Sequence, residues 1–327
     1  MKRIAIITTG GTIAMKADPL SGALVPAVSG EDLAASVTGL SQTADVTVRE
    51  FSNLPSEFMT PEKMLALSRF IDAVDQEGWA DGFVITHGTD TLEETAFFLE
   101  NTLHTGKPVV ITGAMRGASD LSADGPANIL AAVRVAAGDE AQGEGVLAVL
   151  SDHIHAAWDV EKTHATAPDT FQSPQWGPVG TVYGSGVVFG RHVIRRRKLH
   201  PEDIAHHVWL VKCAAGTEAD ILLAAREAQA DGVIVEGFGC GNVPLSVNDG
   251  IHELLKADIP VVLVSRTQSG RVEKEYGYEG GAAALEKAGV ILGGSLSGQK
   301  ARLLLMIALG MGMKEEKAEL RKLFGQA

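Results

Sequence analysis

Short runs of purely apolar residues, each ending in or beside Gly, Ser or Thr, recur along this chain and constrain its fold more than any other feature. The clearest are Ile4–Thr8, Gly82–Thr86, Val109–Thr112, Val146–Leu150, Val233–Val235, Val261–Val264 and Val290–Leu292. None alternates with a period of two, so both faces of each run are apolar, as in the buried strands of a parallel sheet. Helical segments with recognisable starts lie between them. Thr60-Pro61 offers an N-cap and an N1 proline before Glu62–Glu77, Asp124-Gly125-Pro126 precedes Ala127–Ala137, and Glu218–Ala230 carries apolar residues at helical spacing. Strand and helix in alternation predict an α/β fold built on a doubly wound, mainly parallel sheet.

At 327 residues the chain exceeds a single core of ordinary size. Residues 151–190 interrupt the alternation: Trp158, Val182, Tyr183 and Phe189 stand among Gly, Pro and polar residues, a texture of hairpins. The segment Arg191–His207 is basic and polar, and a fresh strand opens at Val208-Trp209-Leu210-Val211. The expected organisation is a larger N-terminal catalytic α/β domain with a hairpin appendage over 1–190. A linker over 191–207 and a smaller C-terminal α/β domain over 208–327 would follow.

With 28 Lys+Arg against 41 Asp+Glu the net charge is −13, which argues against nucleic acid or an anionic membrane surface as partner. Two cysteines, Cys213 and Cys240, cannot make a disulfide scaffold and read as small buried hydrophobes. After Met1-Lys2-Arg3 only four apolar residues precede Thr8, and no window approaches a membrane span. The expected location is the cytoplasm.

Glycine is in excess, 37 of 327 residues, and several glycines fall at predicted strand ends. Thr8-Thr9-Gly10-Gly11-Thr12 follows the first strand, where tandem glycines let backbone approach a ligand, yet neither phosphate-binding glycine motif is satisfied. The hydroxyl of Thr12 is the candidate reagent; strand termination is the plainer role. Thr86-His87-Gly88-Thr89-Asp90-Thr91 follows a second strand and opens a helix over Thr91–Asn101. Thr89 and Asp90 there suit either capping or a substrate carbonyl and ammonium. Lys162, in Asp159-Val160-Glu161-Lys162-Thr163, is a surface lysine unless the appendage folds over the sheet edge, where it could act as a base for a threonine hydroxyl. His153 and His155 read as a chance surface pair and not as metal ligands.

Ile4–Ala14 and Gly82–Thr95 together resemble the two signatures of bacterial-type (type I/II) L-asparaginases, and the likeness extends over Pro108–Arg116, Ser122–Asn128, Asp159–Thr163, Gly237–Asn242 and Gln299–Leu309. The resemblance implies an amidohydrolase acting on a linear amide, releasing ammonia from L-asparagine through an acyl-enzyme without a cofactor or metal. It implies Thr12 as nucleophile, and Thr89, Asp90 and Lys162 as a second triad with Lys162 accepting the Thr89 proton. Ser56 would hold the substrate carboxylate and Asp90 its ammonium, with Gly11, Glu57, Gly88 and Ala114 lining the pocket. Asn242 would come from a neighbouring subunit of a homotetramer or homodimer.

Three departures stand out. Ala23 occupies the position where secreted members carry a lid tyrosine. Glu273, Glu275 and Glu279 all compete for the role of the neighbour's carboxylate, and Glu57 stands where many members have Gln, which by the resemblance tends to go with more glutamine turnover. Two other functions share these motifs: a non-catalytic asparagine- or aspartate-binding protein, and the amidase subunit of a tRNA-dependent amidotransferase.

Overall fold

The structure, a computed structural model, describes residues 1–11, 15–17, 24–26, 31 and 36–325, and divides into two compact units, Met1–His200 and Pro201–Ala327. In the first unit the strands in chain order are β1 (Arg3–Thr8), β2 (Met15–Ala17), β3 (Leu24–Pro26), β4 (Asp45–Glu50), β5 (Gly82–Thr86), β6 (Val109–Thr112), β7 (Val146–Leu150), β8 (His153–Ala156), β9 (Glu161–Lys162), β10 (Phe171–Gln172), β11 (Gly180–Tyr183) and β12 (Gly186–Phe189). Eight of them form one sheet in the order β12-β11-β8-β7-β6-β5-β1-β4. The five strands from β7 to β4 are parallel; β8, β11 and β12 extend the sheet as antiparallel hairpins, which is the appendage texture of the sequence.

Side chains of a strand alternate between faces, and the apolar runs supply both. Ile4, Ile6, Val84, Val110, Leu147 and Val149 pack on one face with Ile129, Ala132 and Val133 of the helix Gly125–Ala137. Ala5, Ile7, Phe83, Ile85, Ile111 and Ala148 pack on the other with Leu67 and Ile71 of the helix Pro61–Gln76 and Ala96 and Leu99 of the helix Leu92–Thr102. Helices on both faces make the sheet doubly wound.

Two helix starts differ from the sequence expectation. Thr60 occupies the N-cap but its side chain makes no capping bond. The Asp124 carboxylate makes no capping bond; it accepts the N–H groups of Met115 and Arg116 at 3.0 and 2.9 Å and Asn128 Nδ2 of its own helix at 3.2 Å. It therefore braces the loop after β6. His153 is exposed as expected, but His155 is 1% exposed. Its Nδ1 lies 2.9 Å from Ser173 Oγ, and burial pushes its pKa down to about 4, so the surface-pair reading fails for this residue.

The second unit holds β13 (Val208–Lys212), β14 (Gly232–Gly237), β15 (Val261–Ser265) and β16 (Ile291–Leu292), all parallel and in chain order. Val211, Val233, Val235, Val261 and Leu263 bury one face beneath Leu222, Ile251, Leu254 and Leu285, which come from the helices Asp220–Glu227, Leu245–Lys256 and Ala282–Ala288. The helix Gly298–Gly310 packs against β13, β14 and β15. Cys213 is buried; Cys240 is half-buried in the turn after β14, and both thiols are free. Among the described residues no helix is long and apolar enough to cross a membrane.

Candidate active site

In the large sheet β1 and β5 are neighbours, but the strand that follows β1 in the sheet, β4, lies on one side and β6, which follows β5, lies on the other. Connections that diverge in this way open a crevice at the carboxyl ends of the strands, the usual ligand position in open α/β sheets. Register keeps those ends flush, since Thr8 pairs with Thr86 and Thr86 with Thr112.

The loops that leave this edge are packed backbone to backbone. Gly11 has φ +88°, and a Cβ there would collide with the Cα and N of Gly88. A Cβ on Gly88 would in turn lie 2.7 Å from Ser56 Oγ. Three loops thus meet at van der Waals distance only because two of their residues lack side chains. Hydrogen bonds join them further. Ser56 Oγ accepts the Asp90 N–H at 3.1 Å, and Thr91 Oγ1 donates to the Ser56 carbonyl at 2.7 Å. Ser56 is buried, whereas the adjacent Glu57 is exposed. Ala114, after β6, is buried, and the carbonyl of Gly113 before it accepts from Asn128 Nδ2 at 2.9 Å.

Beyond β5 the chain makes a 3-10 turn over Thr89–Thr91 and enters the helix Leu92–Thr102. Thr89 is 7% exposed, and Lys162 Nζ donates to its Oγ1 at 2.9 Å. The same ammonium donates to Asp90 Oδ1 at 2.6 Å. The Lys162 side chain is 15% exposed and that of Asp90 is 64% exposed. Asp90 is therefore the open member of the trio. The appendage does fold over the sheet edge: Lys162 sits on β9, which pairs with β10. The backbone N–H groups of Gly11 and Thr89 have no hydrogen-bond partner among the described residues, and both residues are buried. Buried unpaired donors at a crevice can receive a developing negative charge.

Several supporting residues carry no sequence signal of their own. His87 is fully buried, with Nδ1 2.7 Å from the Gly88 carbonyl and Nε2 3.0 Å from Thr95 Oγ1. The Gly88 carbonyl can only accept, so Nδ1 carries a proton and donates to it; in the neutral ring, which burial favours, Nε2 then accepts from the Thr95 hydroxyl. Burial pushes its pKa down to about 4. Thr9 Oγ1 donates to the Thr86 carbonyl at 3.0 Å, tying the loop after β1 to the end of β5. The carboxylate of Glu93 accepts the backbone N–H of Lys162. His87, Glu93 and Thr95 lie in the second signature, but a glutamate in a first helical turn is ordinarily read as complementing the helix dipole.

Thr12 and Ala23 lie outside the described residues. Asn242, Glu273, Glu275 and Glu279 belong to the second unit. Asn242 closes a tight turn, exchanging backbone hydrogen bonds with Phe238 at 2.7 and 2.9 Å, and its Oδ1 is buried without a hydrogen-bond partner among the described residues. Glu273 pairs with Arg271 at 3.0 Å, Glu275 is exposed, and Glu279 accepts from Asn248 Nδ2 at 3.4 Å. Among the described residues no group of three His, Cys, Asp or Glu side chains is placed to hold a metal.

Comparison with known proteins bears on the whole chain. Residues 3–195 match the family model described as Asparaginase, N-terminal, and residues 207–324 match that of the Glutaminase/Asparaginase C-terminal domain. A relative from Deinococcus radiodurans named "Probable L-asparaginase" is 37% identical over 330 residues, covering 100% of this chain and 98% of that protein. A "Glutaminase-asparaginase" from Pseudomonas aeruginosa is 33% identical, covering 99% of this chain and 90% of that protein. Among solved structures, a "Probable Cytoplasmic L-asparaginase" from Campylobacter jejuni superposes with a TM-score of 0.90 at 34% identity, covering 99% of each chain. On both of its domains and along its full length, the chain belongs to the bacterial-type asparaginase family.

Proposed function

We propose that this protein is an L-asparaginase, converting L-asparagine and water to L-aspartate and ammonia. One observation carries the reading. Lys162 Nζ lies 2.9 Å from the Thr89 hydroxyl and 2.6 Å from Asp90, at the sheet's switch point. A threonine hydroxyl is a poor nucleophile until a base accepts its proton. A neutral Lys162 can accept it from Thr89, and the carboxylate of Asp90 stabilises the ammonium that results. The open face of Asp90 also suits a substrate ammonium.

Thr12, given by the family resemblance, attacks the side-chain amide carbon in this reading. The N–H groups of Gly11 and Thr89 receive the oxyanion, the Thr12 hydroxyl proton passes to the departing nitrogen as the C–N bond breaks and ammonia leaves, and attack by water on the resulting ester releases aspartate and returns a proton to the Thr12 oxygen. Ser56 has its oxygen engaged by the Asp90 N–H and retains its own proton to donate to the substrate carboxylate. Glu57, Gly88 and Ala114 complete the wall. No cofactor takes part.

The N-terminal domain over 1–190 is the catalytic one, joined by 191–207 to the domain over 208–327. We assign the protein to the cytoplasm. A homodimer or homotetramer would deliver Asn242 and one of Glu273, Glu275 or Glu279 to a neighbour's site. Glu57 and the glutaminase-asparaginase relatives favour some turnover of glutamine beside asparagine.

The deciding assay is ammonia release from L-Asn, D-Asn and L-Gln at matched concentrations. L-Asn should be the best substrate, and Thr12→Val and Thr89→Val should each abolish release while leaving the protein folded. Binding of aspartate without turnover would instead assign a sensor. Near-parental turnover in either variant would remove that threonine from the mechanism.

A further inference from the structure

We propose that Glu93 is the positioning residue for Lys162, holding the root of that side chain so that its ammonium lands on Thr89 and Asp90. The proposal rests on the reading of those three residues as the proton-transfer group.

Lys162 has an insecure support. It lies on a two-residue strand that, among the described residues, pairs with one other two-residue strand. A pair so short is not stable by itself. A lysine side chain carries about 2 kcal/mol of rotamer entropy, so a wandering root would forfeit the contacts at its tip. The clamp that removes this freedom comes from the element carrying the other two members. Thr89 and Asp90 stand in the 3-10 turn that runs into the helix Leu92–Thr102, and Glu93 lies in that helix's first turn. Its carboxylate accepts the Lys162 backbone N–H, so one rigid element fixes both ends of the constellation.

A role limited to the helix dipole would leave Glu93 in solvent. Instead it is 7% exposed, while the next residue, Glu94, is half-buried. A buried carboxylate is costly unless it is hydrogen-bonded, and a charge-assisted bond to an N–H is among the stronger ones available. What Lys162 needs from this position is an acceptor oxygen at the right place. A glutamine supplies such an oxygen, and an alanine does not.

The test compares Glu93→Ala, Glu93→Asp and Glu93→Gln with the parent by initial rates of ammonia release from L-asparagine, together with melting temperature and circular dichroism. Misplacing a reacting group by about 1 Å can cost on the order of 100-fold in rate. Glu93→Ala should therefore lose roughly 10- to 100-fold in kcat with KM within about twofold, as expected of a residue that acts through the placement of Lys162. Glu93→Asp, whose arm is one methylene short, should lose about tenfold and serves if the alanine variant does not fold. Glu93→Gln should restore most of kcat. A kcat within twofold of the parent for Glu93→Ala or Glu93→Asp would overturn the proposal, as would a glutamine variant no faster than alanine or a loss confined to KM. Thr89→Val is run alongside. If it retains turnover, the underlying reading is wrong; if it is dead while Glu93→Ala is active, only the positioning role fails.

Discussion

His87 should make the stability of this protein depend on pH through a single buried ring. Its folded pKa is about 4 against an ordinary value of 6.5, with burial as the main cause. The ring sits between the Gly88 carbonyl at 2.7 Å and Thr95 Oγ1 at 3.0 Å. Because the folded value is depressed, the unfolded chain takes up a proton that the native chain refuses. The neutral ring's contribution is thus intact above about pH 6.5 and is lost as pH falls toward 4. A shift of that size corresponds to about 3 kcal/mol in the limit, of which about 2.5 kcal/mol is lost between pH 7.5 and 4.5. In His87→Asn the side-chain amide can still donate to Gly88, but Thr95 loses its acceptor, so the variant should be about 1–3 kcal/mol less stable at pH 7.5. That gap should narrow by roughly 2.5 kcal/mol by pH 4.5, because the variant has no ring to protonate. Carboxylates and His155 titrate in both proteins and cancel in the difference. Urea unfolding of both chains at fixed protein concentration measures the gap. A gap constant to within about 0.5 kcal/mol across the range would refute a buried neutral imidazole at this position.

Two further outcomes test the site more directly. Lys162→Met should lower kcat for ammonia release by about 10²- to 10⁴-fold, the usual cost of removing a general base, and a variant above a tenth of parental kcat would reassign the proton acceptor. Gly11→Ala combines a left-handed φ of +88° with a Cβ driven into Gly88. It should cost about 2–5 kcal/mol in urea unfolding, and a loss below about 1 kcal/mol would mean that the two loops can part.

Much of the scaffold was legible because its strands are apolar on both faces, a pattern that polar-faced structure does not produce. Among the parallel strands of the large sheet, β4 was the exception. Asp45, Arg49 and Glu50 break its hydrophobic run, and only Val46 and Val48 pack inward, because it is the edge of the sheet. Helix ends were read to within a few residues: Thr91–Asn101 by sequence became a 3-10 turn at Thr89–Thr91 followed by Leu92–Thr102.

At the site the division is sharper. The glycine- and threonine-rich turns at two strand ends were legible as a pair matching the two family signatures, although each taken alone reads as a strand end or a cap. Lys162 was not. It is one lysine in a charged segment, separated from Thr89 by 73 positions, and nothing local distinguishes it from a solvated surface group. His155 failed for the same reason: it pairs with Ala148 of β7 and meets Ser173, neither of which its neighbours in sequence suggest, and it is buried there. The sequence by itself determined the sheet, its two faces and the family, because burial patterns and signatures are written along the chain. Only the tertiary structure decided that Lys162 meets Thr89 and Asp90, that His87 is neutral and that Glu93 faces inward. Those facts depend on which distant segments exclude water from one another.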